Sequence, residues 1–259
     1  MAPKIKLHDP VLGPLTDDFL TRDVRVWQRA RGHRFSSDDV ATAYVACRAR
    51  PEARRVLDLG CGLGSVLLHL AWKLPEAQVS GIEAQAASFE LLQRNVARSG
   101  FAERVSVLHG DLRDAGLLST LGREFELITG TPPYFPAEAA LDAEDEQRAY
   151  ARIEYRGGVE AYIGAAAPLL APGGALVLCG DARVGARITL AAQASGLVIH
   201  ARCDVVARAG RPPLFSVWTL GREPASCSLS SLTLRGQQGE TAPDANLLRE
   251  FSGMDRIIS

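Results

Sequence analysis

The segment Val56-Leu57-Asp58-Leu59-Gly60-Cys61-Gly62-Leu63-Gly64 sets a carboxylate directly ahead of a Gly-x-Gly-x-Gly turn. Glycine serves where the backbone takes unusual dihedrals and where a ligand must approach with no Cβ in the way. A glycine-rich turn between an apolar strand and a helix is compatible with a dinucleotide. Two features argue for a different ligand. The spacing is not Gly-x-Gly-x-x-Gly, so the helix start lacks the usual pyrophosphate cradle. The carboxylate of Asp58 suits a cationic sulfonium and its ammonium group far better than a diphosphate.

Two further acids fall where such a ligand needs them. Glu83 ends the second apolar run, about 20 residues beyond the turn, where an acid can accept both ribose hydroxyls. Asp111, in His109-Gly110-Asp111-Leu112, ends the third run, where a carboxylate can accept from an adenine amine. Each alone reads as a solvated loop acid. Three at successive strand ends define a ligand edge, because open α/β sheets bind at the carboxyl ends of their strands. The expected ligand is S-adenosyl-L-methionine.

The fourth run ends in Thr129-Gly130-Thr131-Pro132-Pro133-Tyr134-Phe135. Adjacent prolines stiffen the backbone and fix the carbonyl ahead of each ring. The aromatic that follows offers a π-face to a flat substrate. Thr131, Pro132, Pro133 and Tyr134 are therefore the candidate catalytic residues, with Thr131 also facing the cofactor.

These groups must be held by alternating strands and helices. Strand patterns cover Arg55–Leu59, Gln78–Ile82, Val105–Leu108, Phe125–Thr129, Ala175–Gly180, Val198–Ala207 and Leu214–Leu220. Helical patterns fall at about Gly64–Lys73, Ala86–Ser99, Gly158–Leu170 and Val184–Ser195, with Pro172-Gly173-Gly174 as a turn. Only Arg208 to Pro212 separate the last two strands, which suits a hairpin and not a crossover. The expected fold is α/β: a doubly wound, Rossmann-like, seven-stranded sheet closed by an antiparallel hairpin. A short N-terminal extension (1–54) carries a basic segment and a helix from Ser37 to Arg50. The core spans 55–222, and a tail (223–259) adds a strand at Ser228–Arg235 within the same domain.

The glycine turn resembles motif I of the class I methyltransferases, and the expected sheet matches their layout. The Pro-Pro-Tyr loop resembles the Asn-Pro-Pro-Tyr motif of enzymes that methylate planar amino groups. In those families the Asn side-chain oxygen and the first proline's carbonyl accept the two amine hydrogens. Thr131 stands in the Asn position, and its hydroxyl oxygen lies one atom closer to the backbone. Three readings of that change stay open: a bridging water, sufficiency of the Pro132 carbonyl, or an acceptor that is not an amine.

Most of the chain resembles the bacterial tRNA1(Val) adenine-37 N6-methyltransferase family. Gly32-His33-Arg34-Phe35-Ser36-Ser37-Asp38 is similar to the family's Gly-Tyr-Arg-Phe-Ser-x-Asp, which implies that Arg34, Phe35 and Asp38 pack over the cofactor. The cofactor set is then Arg34, Phe35, Asp38, Asp58, Gly60, Gly62, Gly64, Glu83, Asp111, Leu112 and Thr131. Gln147-Arg148-Ala149 resembles an Arg-containing insertion near the substrate. Arg211-Pro212-Pro213-Leu214-Phe215 matches a run at the hairpin turn, and Leu232–Arg235 with Leu247–Phe251 matches the closing segments. Phe135, Arg148 and Arg211 are the implied substrate contacts. The resemblance implies N6-methylation of an adenine in tRNA, with Tyr134 stacking the extruded base.

Composition constrains the partner less. The chain has 259 residues, 47% hydrophobic and 23% charged, with formal net charge −1. RNA contact would therefore rest on a local patch, for which Arg22, Arg25, Arg29 and Arg31 with Arg148, Arg152 and Arg156 are candidates. A small-molecule or protein-amide acceptor, or a non-catalytic SAM- or RNA-binding subunit, are the competing readings. The five scattered cysteines form no Cys-x-x-Cys pair, so no disulfide framework and no metal are expected. No apolar run suggests a membrane span or a signal peptide, and the expected location is the cytoplasm.

Overall fold

The computed structural model describes residues 4–136 and 145–254, so the extreme ends of the expected extension and tail lie outside it. Its centre is a sheet in the order β11-β9-β10-β8-β7-β4-β5-β6. The parallel strands are β4 (Arg55–Leu59), β5 (Gln78–Glu83), β6 (Val105–His109), β7 (Phe125–Gly130) and β8 (Leu170–Gly180). β10 (Phe215–Gly221) runs antiparallel to both β8 and β9 (Val198–Val206), as the short connection requires. The tail strand β11 (Ser228–Thr233) adds parallel to β9 as an eighth, edge strand.

Strand order reverses between β4 and β7. Chain crossovers leave in opposite directions there, opening a crevice beyond the carboxyl ends of β4, β5 and β7. The glycine turn, Glu83 and the Pro-Pro loop all end at that crevice.

Helices cover both faces. α1 (Ser37–Ala49), α2 (Ser65–Lys73) and α3 (Ala86–Arg98) pack one apolar face around Leu67, Leu68 and Leu91. α4 (Ala115–Thr120), α6 (Val159–Ala166) and α7 (Gly185–Ala194) pack the other around Ile128, Ile163 and Trp218. α1 starts in a capping box in which the Ser36 N–H donates to Asp39 Oδ2 at 2.8 Å. It ends ahead of Pro51, which cannot continue a helix. Two further helices, α5 (Glu146–Arg152) and α8 (Pro243–Phe251), follow the catalytic loop and the tail strand.

One segment gains structure and one expectation changes. The basic leader, for which no element was expected ahead of Ser37, forms a three-stranded antiparallel sheet: β1 (Leu7–Asp9), β2 (Gly13–Phe19) and β3 (Arg25–Arg29). Its alternating pattern, with Val26 and Gln28 buried between half-exposed Arg25, Trp27 and Arg29, places arginine stems along the pleat. Pro172-Gly173-Gly174 does not terminate the helix but lies inside β8. The strand begins at Leu170 opposite Phe125 and shifts register before Ala175 pairs with Leu127. A bulge absorbs the extra residues, and Gly173 takes φ of 70°.

Among the side chains that join the extension to the core, beside the ion pairs Arg94–Asp9 and Arg98–Asp17, one is fully buried. Asn95 on α3 is fully buried; its Oδ1 accepts from the Trp27 N–H at 2.7 Å, and its Nδ2 donates to the carbonyls of Trp27 and Leu63. Asn95→Ala leaves those three backbone groups unpaired in the interior. It is expected to destabilise the fold by about 2–4 kcal/mol, read as a lowered denaturant midpoint.

Candidate active site

Two glycines show why the turn tolerates nothing larger. Gly60 has φ of 61°, and a Cβ there would lie 2.2 Å from the Tyr162 hydroxyl. Gly62 has φ of 56°, and a Cβ there would meet nothing, because it faces an open cavity. Gly64 closes the turn as N-cap of α2, with the side chain of Leu92 against it. Glu83 clamps the loop from β5: its Oε2 accepts from the Gly62 N–H at 2.9 Å and its Oε1 from the Gln85 N–H at 2.7 Å.

The cavity in front of this turn is lined by Gly60, Gly62, Glu83, Asp111, Leu112, Phe35, Thr131 and Pro133 among the expected residues. Asp111 enters already gripped, since Arg113 donates to both carboxylate oxygens and holds its pKa below the ordinary value. Asp58 lies behind the turn, not on the cavity wall. Its Oδ1 accepts from Thr129 Oγ1 at 2.7 Å, and its Oδ2 is buried with no partner. Burial pushes the Asp58 carboxyl up to about 7.

Sequence reading missed several contributors. Asp39, not Asp38, turns into the cavity, because it is the N3 residue of the capping box; it accepts from Ser65 Oγ at 2.9 Å. Burial and neighbouring Asp38 push it up to about 7. The spacing of Ser36 and Asp39 signals the capping box, though not the cavity that it faces. His33, Tyr150, Arg156 and Tyr162 complete the lining. His33 lies within the Gly32–Asp38 segment and Arg156 among the arginines of the expected basic patch, but neither was expected at this cavity; Tyr150 and Tyr162 come from segments with no local motif. Arg156 lies over the Tyr150 ring at 4.4 Å.

Asp39, Asp58 and Glu83 are thus buried acids, and among the described residues none forms an ion pair with a cationic side chain. Glu83 feels Arg156 only weakly, and burial raises its pKa. A site with three acids, an orphaned carboxylate oxygen and a bare glycine turn is electrostatically incomplete without a cation. S-adenosylmethionine fits that deficit.

A second, wider cleft of about 1150 Å³ adjoins the first. Thr131, Pro132, Tyr134 and Phe135 form one wall, and Pro212 to Phe215 at the hairpin turn form another. Arg31, Arg34, Arg148, Arg152, Arg183 and Arg202 surround it. Arg34 pairs with Asp18 at 3.0 Å and lines this cleft, not the cavity at the glycine turn. Asp38 also faces this cleft, where it accepts from the Tyr134 hydroxyl at 3.1 Å. That hydroxyl lies 2.9 Å from Cys179 Sγ as well, so the Tyr134 ring is fixed at its far end. Arg152 sits over the Phe135 ring at 5.3 Å. Arg211 lines neither cavity and is exposed in the hairpin turn, donating its backbone N–H to the Arg208 carbonyl. Of the other leader arginines, Arg25 is spent on Asp17 and Arg29 on Asp145.

Residues 56–154 match the family model for a methyltransferase domain. A tRNA1(Val) (adenine(37)-N6)-methyltransferase of Porphyromonas gingivalis is 40% identical over 123 residues, 47% of this chain and 48% of that protein, so the match spans about half of that relative's length. The protein of the same name from Yersinia pestis is 30% identical over 203 residues, 77% of this chain and 79% of that protein. Among solved structures, a predicted O-methyltransferase of Agrobacterium tumefaciens superposes with a TM-score of 0.63 at 21% identity, covering 83% of this chain and 96% of that one. TYW2 of P. horikoshii, in complex with MeSAdo, gives a TM-score of 0.53 at 16% identity, covering 80% and 70%. These two share the fold. With its glycine turn, strand-end acids and Pro-Pro-Tyr loop on that fold, the chain belongs to the tRNA1(Val) (adenine(37)-N6)-methyltransferase family of class I SAM-dependent methyltransferases.

Proposed function

We propose that this chain methylates the N6 amine of an adenine in tRNA, with S-adenosyl-L-methionine as donor. The observation that carries the reading is the junction of two unlike cavities at Thr131: an acid-lined one at the glycine turn and an arginine-rimmed one beside Tyr134. A cationic donor suits the first, and a polyanion with a flat base suits the second.

When bound, S-adenosylmethionine supplies an electrophilic methyl group. Glu83 and Asp111 would hold its sugar and base, and Asp39 with Asp58 would provide negative potential. On the other side, Tyr134 stacks the extruded base and the Pro132 carbonyl accepts from its amine, which orients the nitrogen lone pair. Thr131 lies between them. The chain's contribution is orientation and electrostatics, not a strong base. The cytoplasm, where tRNA resides, is the fitting location, and no described helix is long and apolar enough to cross a membrane.

The deciding experiment offers tritiated S-adenosylmethionine to unmodified tRNA, to protein and to small metabolites, followed by nucleoside analysis of any labelled pool. Label in N6-methyladenosine supports the reading; label in protein or metabolites alone overturns it. Arg31, Arg148 and Arg152 form no ion pair among the described residues, so their charge is available to phosphates. Arg148→Ala and Arg152→Ala are each expected to lower the slope of log K against log salt for tRNA by about 1. A small-molecule acceptor would leave that slope near zero.

The buried acids also set a pH dependence. Asp39 and Asp58 have pKa values of about 7, raised from 3.8. The folded, ligand-free protein then holds protons that the unfolded chain releases near 3.8. Its stability contribution from these groups falls as pH rises from 3.8 through 7. A bound cation favours the ionised acids, so donor affinity should rise with pH across neutrality, with proton release visible by calorimetry in buffers of different ionisation enthalpy. The thioether product, lacking the sulfonium charge, should show a smaller slope.

A further inference from the structure

Among the described residues, four line both cavities: His33, Asp39, Thr131 and Ala151. The reacting nitrogen must lie in that passage, since the donor occupies one side and the base the other. Ala151 has no polar side-chain atom. Asp39 is already committed, one oxygen accepting from Ser65 and the other from the Ser36 N–H. His33 and Thr131 are left, and neither side chain is hydrogen-bonded to a described residue.

An aromatic amine donates two hydrogens, and its lone pair is delocalised into the ring. Accepting both hydrogens out of the reaction axis frees that pair for attack. The Pro132 carbonyl accounts for one. The short Thr131 side chain leaves the second poorly met, whereas an imidazole nitrogen reaches further from its own backbone. The charges facing His33 are Asp38 in the first turn of α1 and Arg148 and Arg152 on α5. Burial, with the two arginines and against Asp38, lowers the imidazole pKa and keeps the ring neutral at pH 7, with one ring nitrogen free to accept.

Resting on the function proposed above, we propose that His33 is a catalytic residue: the second hydrogen-bond acceptor for the target amine, acting beside Thr131. It makes the site selective for a base with an exocyclic amine at this position. It also gives the leader segment, which lies outside the methyltransferase core, a direct part in substrate choice.

The test is binding, measured with S-adenosylhomocysteine present. An anticodon stem-loop RNA is titrated with adenosine at the target position, or with purine riboside, which lacks the 6-amine. The wild-type protein is expected to favour adenosine about tenfold, on the scale of leaving a buried acceptor unpaired. His33→Phe should cut that preference at least threefold while leaving purine riboside affinity little changed. His33→Gln, whose amide oxygen accepts, should retain it. The wild-type preference should fade as pH drops below the ordinary histidine pKa of 6.5, because the imidazolium only donates; the His33→Gln preference should not. An undiminished preference in His33→Phe overturns the assignment. Where His33→Phe does not fold, a wild-type preference that ignores pH, or tracks it equally in His33→Gln, does the same. Equal wild-type affinity for both RNAs overturns the assignment too, whereas the proposed function fails separately, by absence of label in N6-methyladenosine.

Discussion

Tyr134→Ala is expected to lower kcat/KM for tRNA by about a hundredfold, near the upper end of what one base–aromatic stack contributes. The ring is held by its hydroxyl between Asp38 and Cys179, and by the stiff Pro132-Pro133 backbone on its N-terminal side. Tyr134→Phe separates the two functions. It keeps the π-face and removes the tether, so a loss of only a few-fold is expected, the worth of one hydrogen bond. Steady-state kinetics on both variants checks this; equal losses would mean that the hydroxyl, not the face, matters. The affinity for S-adenosylhomocysteine should stay unchanged in both variants, because Tyr134 does not line the cofactor cavity. The loss is therefore expected on the RNA side alone.

Glu83→Ala is the counterpart on the cofactor side. Glu83 is 8% exposed and holds the Gly62 and Gln85 N–H groups while facing the cavity. Two charge-assisted hydrogen bonds to a ligand's hydroxyls, at about 1.5–3 kcal/mol each, make a hundredfold or greater loss of S-adenosylmethionine affinity the expected result. Isothermal titration would read it directly. Stability without ligand should change less, because removing a carboxylate whose burial is itself unfavourable offsets the two orphaned N–H groups. The ligand-induced rise in melting temperature should accordingly disappear while the ligand-free value stays close to wild type. A lost ligand-free fold would instead identify Glu83 as a brace for the glycine turn.

The leader and α5 are coupled directly. Gln147, buried on α5, donates to Ser88 Oγ at 3.1 Å, and Arg29 on β3 donates to Gln147 Oε1 at 3.3 Å and pairs with Asp145. The N-cap of the helix carrying Arg148 and Arg152 is thus tied to the N-terminal sheet. That places Arg148 and Arg152 of the wider cleft on an element positioned by the extension.

The sequence by itself determined much of what short-range rules govern, though not that Pro172-Gly173-Gly174 lies inside a bulged strand. Strand alternation, the Gly-x-Gly-x-Gly spacing and the Pro-Pro rigidity located Asp58, Glu83, Asp111 and Thr131 at four strand ends, because a strand's carboxyl end is set by the residues that stop it. The hairpin followed from a connection too short for a crossover. Tertiary structure alone decided which neighbour faces which cavity. Asp38 and Asp39 are adjacent and chemically alike, yet the capping geometry sends one to Tyr134 and the other to the cavity at the glycine turn. The same holds for the leader, whose strands pair only with one another, and for His33, Tyr150 and Arg156. These side chains are brought together by packing between segments more than a hundred residues apart. No periodicity within either segment encodes such a meeting, since its energy comes from burial shared across the interface.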